Sequence, residues 1–153
     1  MSHSFHDRLG KKILVLDGAM GSTLQAMDLT VEDYLGHENC VDLLCWSRPE
    51  LVASVHASFL EVGADAVETN TFGANRLVLR EFDDDVASRS HDLNVTAAQV
   101  ARSVCDQFAT PDAPRFVLGS MGPGTRLISL GQVKWDEMLE SYCEQAAGLL
   151  EGG

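Results

Sequence analysis

Three short apolar runs punctuate the chain, and the apolar positions between them fall into a helical period. The runs are Ile13-Leu14-Val15-Leu16, Ala66-Val67-Glu68-Thr69-Asn70-Thr71 and Arg115-Phe116-Val117-Leu118-Gly119. Each is too short and too continuous for an amphipathic helix, which predicts strands buried on both faces. Leu51, Val52, Val55, Phe59 and Val62 then form one helical stripe. It opens with Ser47-Arg48-Pro49-Glu50, read as a capping box, and stops at Gly63. Leu93, Ala97, Val100, Ala101, Val104 and Phe108 form a second stripe. Trp135, Met138, Leu139, Tyr142, Ala146, Leu149 and Leu150 form a third. A short extra helix is expected over residues 75–82. Asp83-Asp84-Asp85 after it reads as a solvated turn, since the spacing of a calcium loop is missing.

The order is therefore β-α-β-α-β-α, with crossovers long enough for parallel connections. Such α/β alternation fits either an open doubly wound sheet or a β/α barrel, and three strands complete neither. In both architectures ligands bind at the carboxyl ends of the strands. Those ends are polar and glycine-rich here: Asp17-Gly18-Ala19-Met20-Gly21-Ser22-Thr23, Glu68-Thr69-Asn70-Thr71-Phe72-Gly73 and Gly119-Ser120-Met121-Gly122-Pro123-Gly124-Thr125. Asp17 follows a fully apolar run, so it either offers a carboxylate to a ligand's ammonium group or closes an Asx-type turn. Gly18-x-x-Gly21 lets the backbone approach a ligand closely. It lacks the Lys-Ser/Thr of a P-loop and the third Gly of a dinucleotide fingerprint. Glu68 and Asn70 alternate to one face of the second strand, opposite Val67, Thr69 and Thr71. A buried Glu68 is either an interior hydrogen-bonding group or a catalytic one. The Thr71 hydroxyl and the amides after it are candidates for holding a carboxylate.

Composition narrows the function class. The 153 residues are 45% hydrophobic and 22% charged, which fits one globular domain. Acidic residues outnumber basic ones 23 to 11, a net charge of −12, which argues against nucleic acid and anionic membrane surfaces as partners. Neither a signal peptide nor a disulfide framework is evident, so a cytoplasmic protein with reduced thiols is expected. His37, Cys40 and Cys45 have the spacing H-x2-C-x4-C, which is not a zinc knuckle. Cys105 and Cys143 are expected near apolar helix faces, as small hydrophobes. His56 and His91 fall in helices, and no Ser-His-Asp or Cys-His arrangement is evident.

Leu16-Asp17-Gly18-Ala19-Met20-Gly21-Ser22 resembles the first-strand motif of the homocysteine S-methyltransferase family, whose usual form ends in Thr rather than Ser22. Gly63-Ala64-Asp65-Ala66-Val67-Glu68-Thr69-Asn70-Thr71-Phe72 is similar to its second-strand motif, and Phe116-Val117-Leu118-Gly119-Ser120-Met121-Gly122-Pro123 to its third. Within the family, Asn70-Thr71-Phe72-Gly73-Ala74-Asn75-Arg76 looks most like the cobalamin-dependent members. The betaine- and S-methylmethionine-using members are the alternatives. The resemblance implies a zinc-dependent β/α (TIM) barrel that passes a methyl group to homocysteine, making methionine. Zinc would deprotonate the homocysteine thiol and keep it nucleophilic. The donor would be methylcobalamin on a separate module, recharged from 5-methyltetrahydrofolate.

By motif position, Asp17 would bind the amino group of homocysteine, and Gly18 with Thr71 would line the amino-acid pocket. Glu68 and Ser120 would lie near its rim. The family's three zinc cysteines belong to later strands, in an Asn-Cys and a Gly-Gly-Cys-Cys motif. Cys40, Cys45, Cys105 and Cys143 match none of those positions, so no metal ligand is assigned. The chain thus resembles about three of eight βα units, with residues 1–10 as a tail and 11–153 as an incomplete barrel. Alone it is expected to be inactive. The competing reading is a non-catalytic, stand-alone binding module.

Overall fold

A computed structural model describes residues 5–153 of the chain. It is a mixed α/β structure, mostly helical, around a small parallel sheet. The helices are α1 (Phe5–Arg8), α2 (Met20–Gln25), α3 (Leu44–Ser47), α4 (Pro49–Glu61), α5 (Arg76–Leu79), α6 (Asp84–Ser88), α7 (Ser90–Phe108) and α8 (Trp135–Gly152). Two 3-10 turns, Val41–Leu43 and Ile128–Leu130, break the loops. Strand β1 (Ala66–Glu68) pairs in parallel with β2 (Phe116–Leu118), with Val67 opposite Val117. Part of the expected tail is therefore helical, since α1 occupies Phe5–Arg8, and residues 1–4 lie outside the described residues.

The first expected strand is reduced to a single parallel bridge, Leu16 to Ala66. Its neighbours explain why. Asp65 Oδ2 takes the Val15 N–H at 3.0 Å, so a side chain stands where a strand partner would donate or accept. Asp65 is in turn held by Lys12 Nζ at 2.5 Å. Burial on both faces also fails here: Ile13 is 89% exposed and Val15 53%. The second strand is shorter than expected because Thr71 N–H turns back to Thr69 O at 2.9 Å and lifts the chain off the sheet. β2 is only half-buried along its length.

Helix α4 begins at Pro49, where a missing N–H costs nothing. The expected capping box is absent. Ser47 Oγ donates instead to Asp33 O and Leu43 O, and Glu50 accepts from Arg48 Nε at 2.6 Å. Val52, Val55 and Leu60 carry the buried stripe of α4, while Val62 lies beyond its end, 84% exposed. Asp83 is not a solvated turn residue but the N-cap of α6, accepting from Asp85 N at 2.7 Å. Asn75 caps α5 in the same way, through Val78 N. The core has two parts. Leu24, Leu43, Leu44, Val52, Leu79, Leu93 and Ala97 pack on one side, and Leu60, Val67, Ala101, Val104 and Cys105 pack beneath the sheet. Trp46 packs against that first cluster and carries the Arg89 guanidinium 4.1 Å above its ring.

Helix α8 departs most from its apolar pattern. Its buried positions are Ser141, Gln145, Gly148 and Leu149, whereas Trp135, Leu139 and Leu150 of the expected stripe are exposed. Small residues decide the packing. A Cβ on Gly148 would come within 2.5 Å of His91 O, and one on Gly152 would meet Val95 O, so α7 and α8 touch backbone to backbone. Among the described residues, no helix is long and apolar enough to cross a membrane.

Gly148→Ala should lower stability by about 1–3 kcal/mol, because overpacking against a backbone carbonyl outweighs the better helix propensity of Ala. Gly21→Ala, whose new methyl meets nothing within 4 Å, should be neutral or stabilising by up to about 1 kcal/mol. Urea denaturation of both variants checks the contrast.

Candidate functional site

A cavity of about 460 Å³ opens where the three parallel segments end. Asp17 to Gly21 line it from the first, Glu68 to Gly73 from the second and Ser120 from the third, with Val41 and Asp42 closing one side. Hydroxyl and carboxylate side chains continue the ladder where the backbone pairing stops. Asp17 Oδ1 accepts the Glu68 N–H at 2.8 Å. The Ser120 N–H donates to Thr69 Oγ1 at 3.0 Å, and Thr71 Oγ1 donates to Ser120 O at 2.7 Å. Thr69 and Thr71 hydroxyls lie 2.6 Å apart, so Thr69 donates to Thr71 and the three residues form a closed ring of hydrogen bonds. Gln145 on α8 donates to Thr71 O at 2.8 Å and fixes the strand end from below. The loop after β2 crosses so near Phe72 that Gly122 N–H reaches Phe72 O at 3.0 Å, and a Cβ on Gly122 would collide with that oxygen.

All five residues singled out in the sequence border this cavity. Gly18 is exposed, and a Cβ there would meet nothing within 4 Å among the described residues. Glu68 is exposed rather than buried, and its Oε2 accepts from Ser120 Oγ at 3.1 Å. The Thr71 hydroxyl is spent within the ring, so it shapes the strand end and is not free to hold a carboxylate. The Asp17 side chain is turned under the rim and only 2% exposed. Its second oxygen, Oδ2, faces His56 Nδ1 at 3.6 Å.

Sequence reasoning missed the part played by three side chains at or beneath this site, Asp42, His56 and Gln145, and left Asn70 without a role. Asn70 fixes the cavity wall by donating to Val41 O at 2.8 Å. Asp42 is 7% exposed and accepts the Gly73 N–H at 3.0 Å. Burial pushes its carboxyl up to about 6, against the pull of the Gly73 hydrogen bond. A Cβ on Gly73 would lie 2.9 Å from Asp42 Oδ2, so the loop approaches this carboxylate as closely as a glycine allows. Asp42, His56 and Gln145 stand in no pattern that spacing could expose, because each meets the site from a different element.

Residues 14–153 match the family described as homocysteine S-methyltransferase. The chain belongs to the homocysteine S-methyltransferase family. It is 46% identical over 147 residues to the methionine synthase of Mycobacterium tuberculosis (strain ATCC 25618 / H37Rv), and 43% identical over 147 residues to that of Mycobacterium leprae (strain TN). Each alignment covers 96% of this chain and 12% of the relative. In fold it is similar to the homocysteine methyltransferase MmuM from Escherichia coli in its metallated form. The TM-score is 0.70 at 23% identity, over 96% of this chain and 53% of that one. The chain thus spans about half the length of the solved structure and about an eighth of the curated relatives it matches.

The zinc ion that resemblance to this family implies is not matched by these residues. Among the described residues, no three His, Cys, Asp or Glu side chains cluster as a metal site requires. Cys40 and Cys45 are buried, and burial pushes both thiols up to about 12. Cys105 is pushed up to about 11 by the same cause. Buried neutral thiols are inert packing groups. Cys143 sits on the exposed side of α8, not on its apolar face. The Asn39-Cys40 pair lies in a loop, with Asn39 at φ 69°, and not at a strand end. No chemical step is routed through zinc by these side chains.

Asp42 generates a pH prediction. A carboxyl raised to about 6 in the fold binds its proton more tightly than in the unfolded chain, where it titrates near 4. Its contribution to stability is therefore greatest at low pH and falls as pH rises from about 4 to about 6. Asp42→Asn keeps an oxygen for Gly73 N–H and removes the buried charge. It should be more stable than wild type at pH 7, by on the order of 1–3 kcal/mol, with the difference vanishing near pH 4. Denaturant midpoints of both proteins from pH 4 to 7 measure it.

Proposed function

We propose that this chain forms the homocysteine-recognising side of a methyltransferase that makes methionine. The observation that carries the reading is the meeting of Asp17–Gly21, Glu68–Gly73 and Ser120 around one cavity, although they are far apart in sequence. A pocket for an amino acid needs a negative region for its ammonium group and close backbone for its carboxylate. The buried Asp17 carboxylate lies beneath the rim, and Glu68, steadied by Ser120, stands beside it on the solvent side. An ammonium group at the Gly18 turn would be attracted by both. Gly18 and Thr71 leave room there by lacking a side chain and by turning it inward.

Residues 11–153 are read as about three βα units of a β/α barrel completed by further units. Two exposed features support this. Ile13, Val15 and Leu16 present an apolar edge, and a second cavity of about 450 Å³ lies against Val117, Met121, Leu149 and Leu150, where another unit would pack. Methyl transfer requires a thiolate. Its activation is assigned outside the described residues, as is the methyl donor, read from the resemblance as 5-methyltetrahydrofolate acting through methylcobalamin.

Isothermal titration calorimetry with reduced L-homocysteine tests the reading. Saturable binding is expected, weakened about tenfold in Asp17→Asn, the loss of a charged partner. The chain alone should take up no stoichiometric zinc and transfer no methyl group. Absence of homocysteine binding, an unaffected Asp17→Asn, or turnover by the pure chain would contradict it.

A further inference from the structure

We infer that His56 is a positioning residue for Asp17, its Nδ1–H holding that carboxylate under the cavity floor. His56 lies on the buried face of α4 and is fully shielded from solvent. Among the described residues, neither of its ring nitrogens has a hydrogen-bond partner, and neither has Asp17 Oδ2. Buried polar atoms without partners are rare and costly. Here two of them face each other, with Nδ1 and Oδ2 separated by 3.6 Å. Closing by about 0.7–0.9 Å would give a charge-assisted hydrogen bond of ordinary length.

The carboxylate is then held from two directions. The Glu68 N–H on β1 fixes Oδ1 at 2.8 Å, and His56 on α4 faces Oδ2. Cys105 on α7 also lies within the field of Asp17, but its thiol is turned to Phe116 O at 3.5 Å. The imidazole matters because Asp17 adjoins Gly18 and both belong to the cavity lining. With the donor lost, the carboxylate is free to rotate away, and the negative field beneath the Gly18 turn weakens. This role rests on the reading that the cavity receives the ammonium group of an amino acid.

Two substitutions and two readouts test it. Phe in His56→Phe fills the space without a donor, and the amide in His56→Asn returns a donor near the place of Nδ1. Calorimetry with L-homocysteine should show affinity about tenfold weaker in His56→Phe and mostly restored in His56→Asn. Thermal melts of the two should not follow that order. Ring 15N shifts of His56 by NMR should also move between wild type and Asp17→Asn, with no ligand present. Equal losses in both His56 variants, in step with stability, would make His56 merely structural. Unchanged ring shifts in Asp17→Asn would remove the pair itself. Failure of the wild type to bind homocysteine would instead overturn the proposed function, while the ring shifts would still decide the pair.

Discussion

A parallel ladder that stops leaves backbone donors and acceptors facing a space rather than a strand, and this chain fills that need with side chains. Asp17 takes the Glu68 N–H, and the ring through Thr69, Thr71 and Ser120 ties the second strand end to the third. Each of these bonds is worth about 1 kcal/mol, yet leaving a buried partner unmade costs more. The sheet has only three paired residues in each strand. The strand ends are therefore held in register less by the ladder than by the polar groups that finish it. The cavity exists because those groups are satisfied by one another and leave the glycine-rich turns open above them.

The helices serve the same arrangement. α8 buries Ser141 and Gln145 where a larger apolar face would be usual, and Gln145 reaches the Thr71 carbonyl. The close approach at Gly148 makes that reach possible, since the helix lies almost on the backbone of α7. From α7, Ser90 and Asn94 both donate to Ala74 O at 2.8 Å, which anchors the loop that leaves the cavity. Tyr142 holds the opposite loop through Gly122 O at 2.7 Å. Two long helices thus brace both loops around one opening.

Much of this was legible in the chain. The polar, glycine-rich stretches after apolar runs located the ends of both strands and of the single-bridge segment before them, because a chain that turns toward a ligand needs backbone freedom and polar termini. The helices read from the stripes at 51–62 and 93–108 followed from apolar spacing, although Val62 falls just past the end of α4. The misreadings share a cause: the partner that a local pattern suggested lost to another one. Ser47 and Glu50 have capping-box spacing, but Asp33 and Arg48 claim them. Residues 13–16 have strand composition, but Asp65 takes a backbone donor from them. The apolar stripe of α8 is strong, but Gly148 and Gly152 choose the packed face. His56 and Asp42 carry no signal in sequence at all, since their meaning lies in what they face across the fold.

The central claim is that the ends of three separate parallel segments act as one receptor for an amino acid. Amide chemical-shift mapping with reduced L-homocysteine tests it most directly, with norleucine at the same concentration as a thiol-free control. The account predicts that shifts concentrate at residues 18–21, 68–73 and 120–122 together and saturate with one affinity. Shifts confined to one of these segments, or gathered around Leu149 and Leu150 on α8, would contradict it.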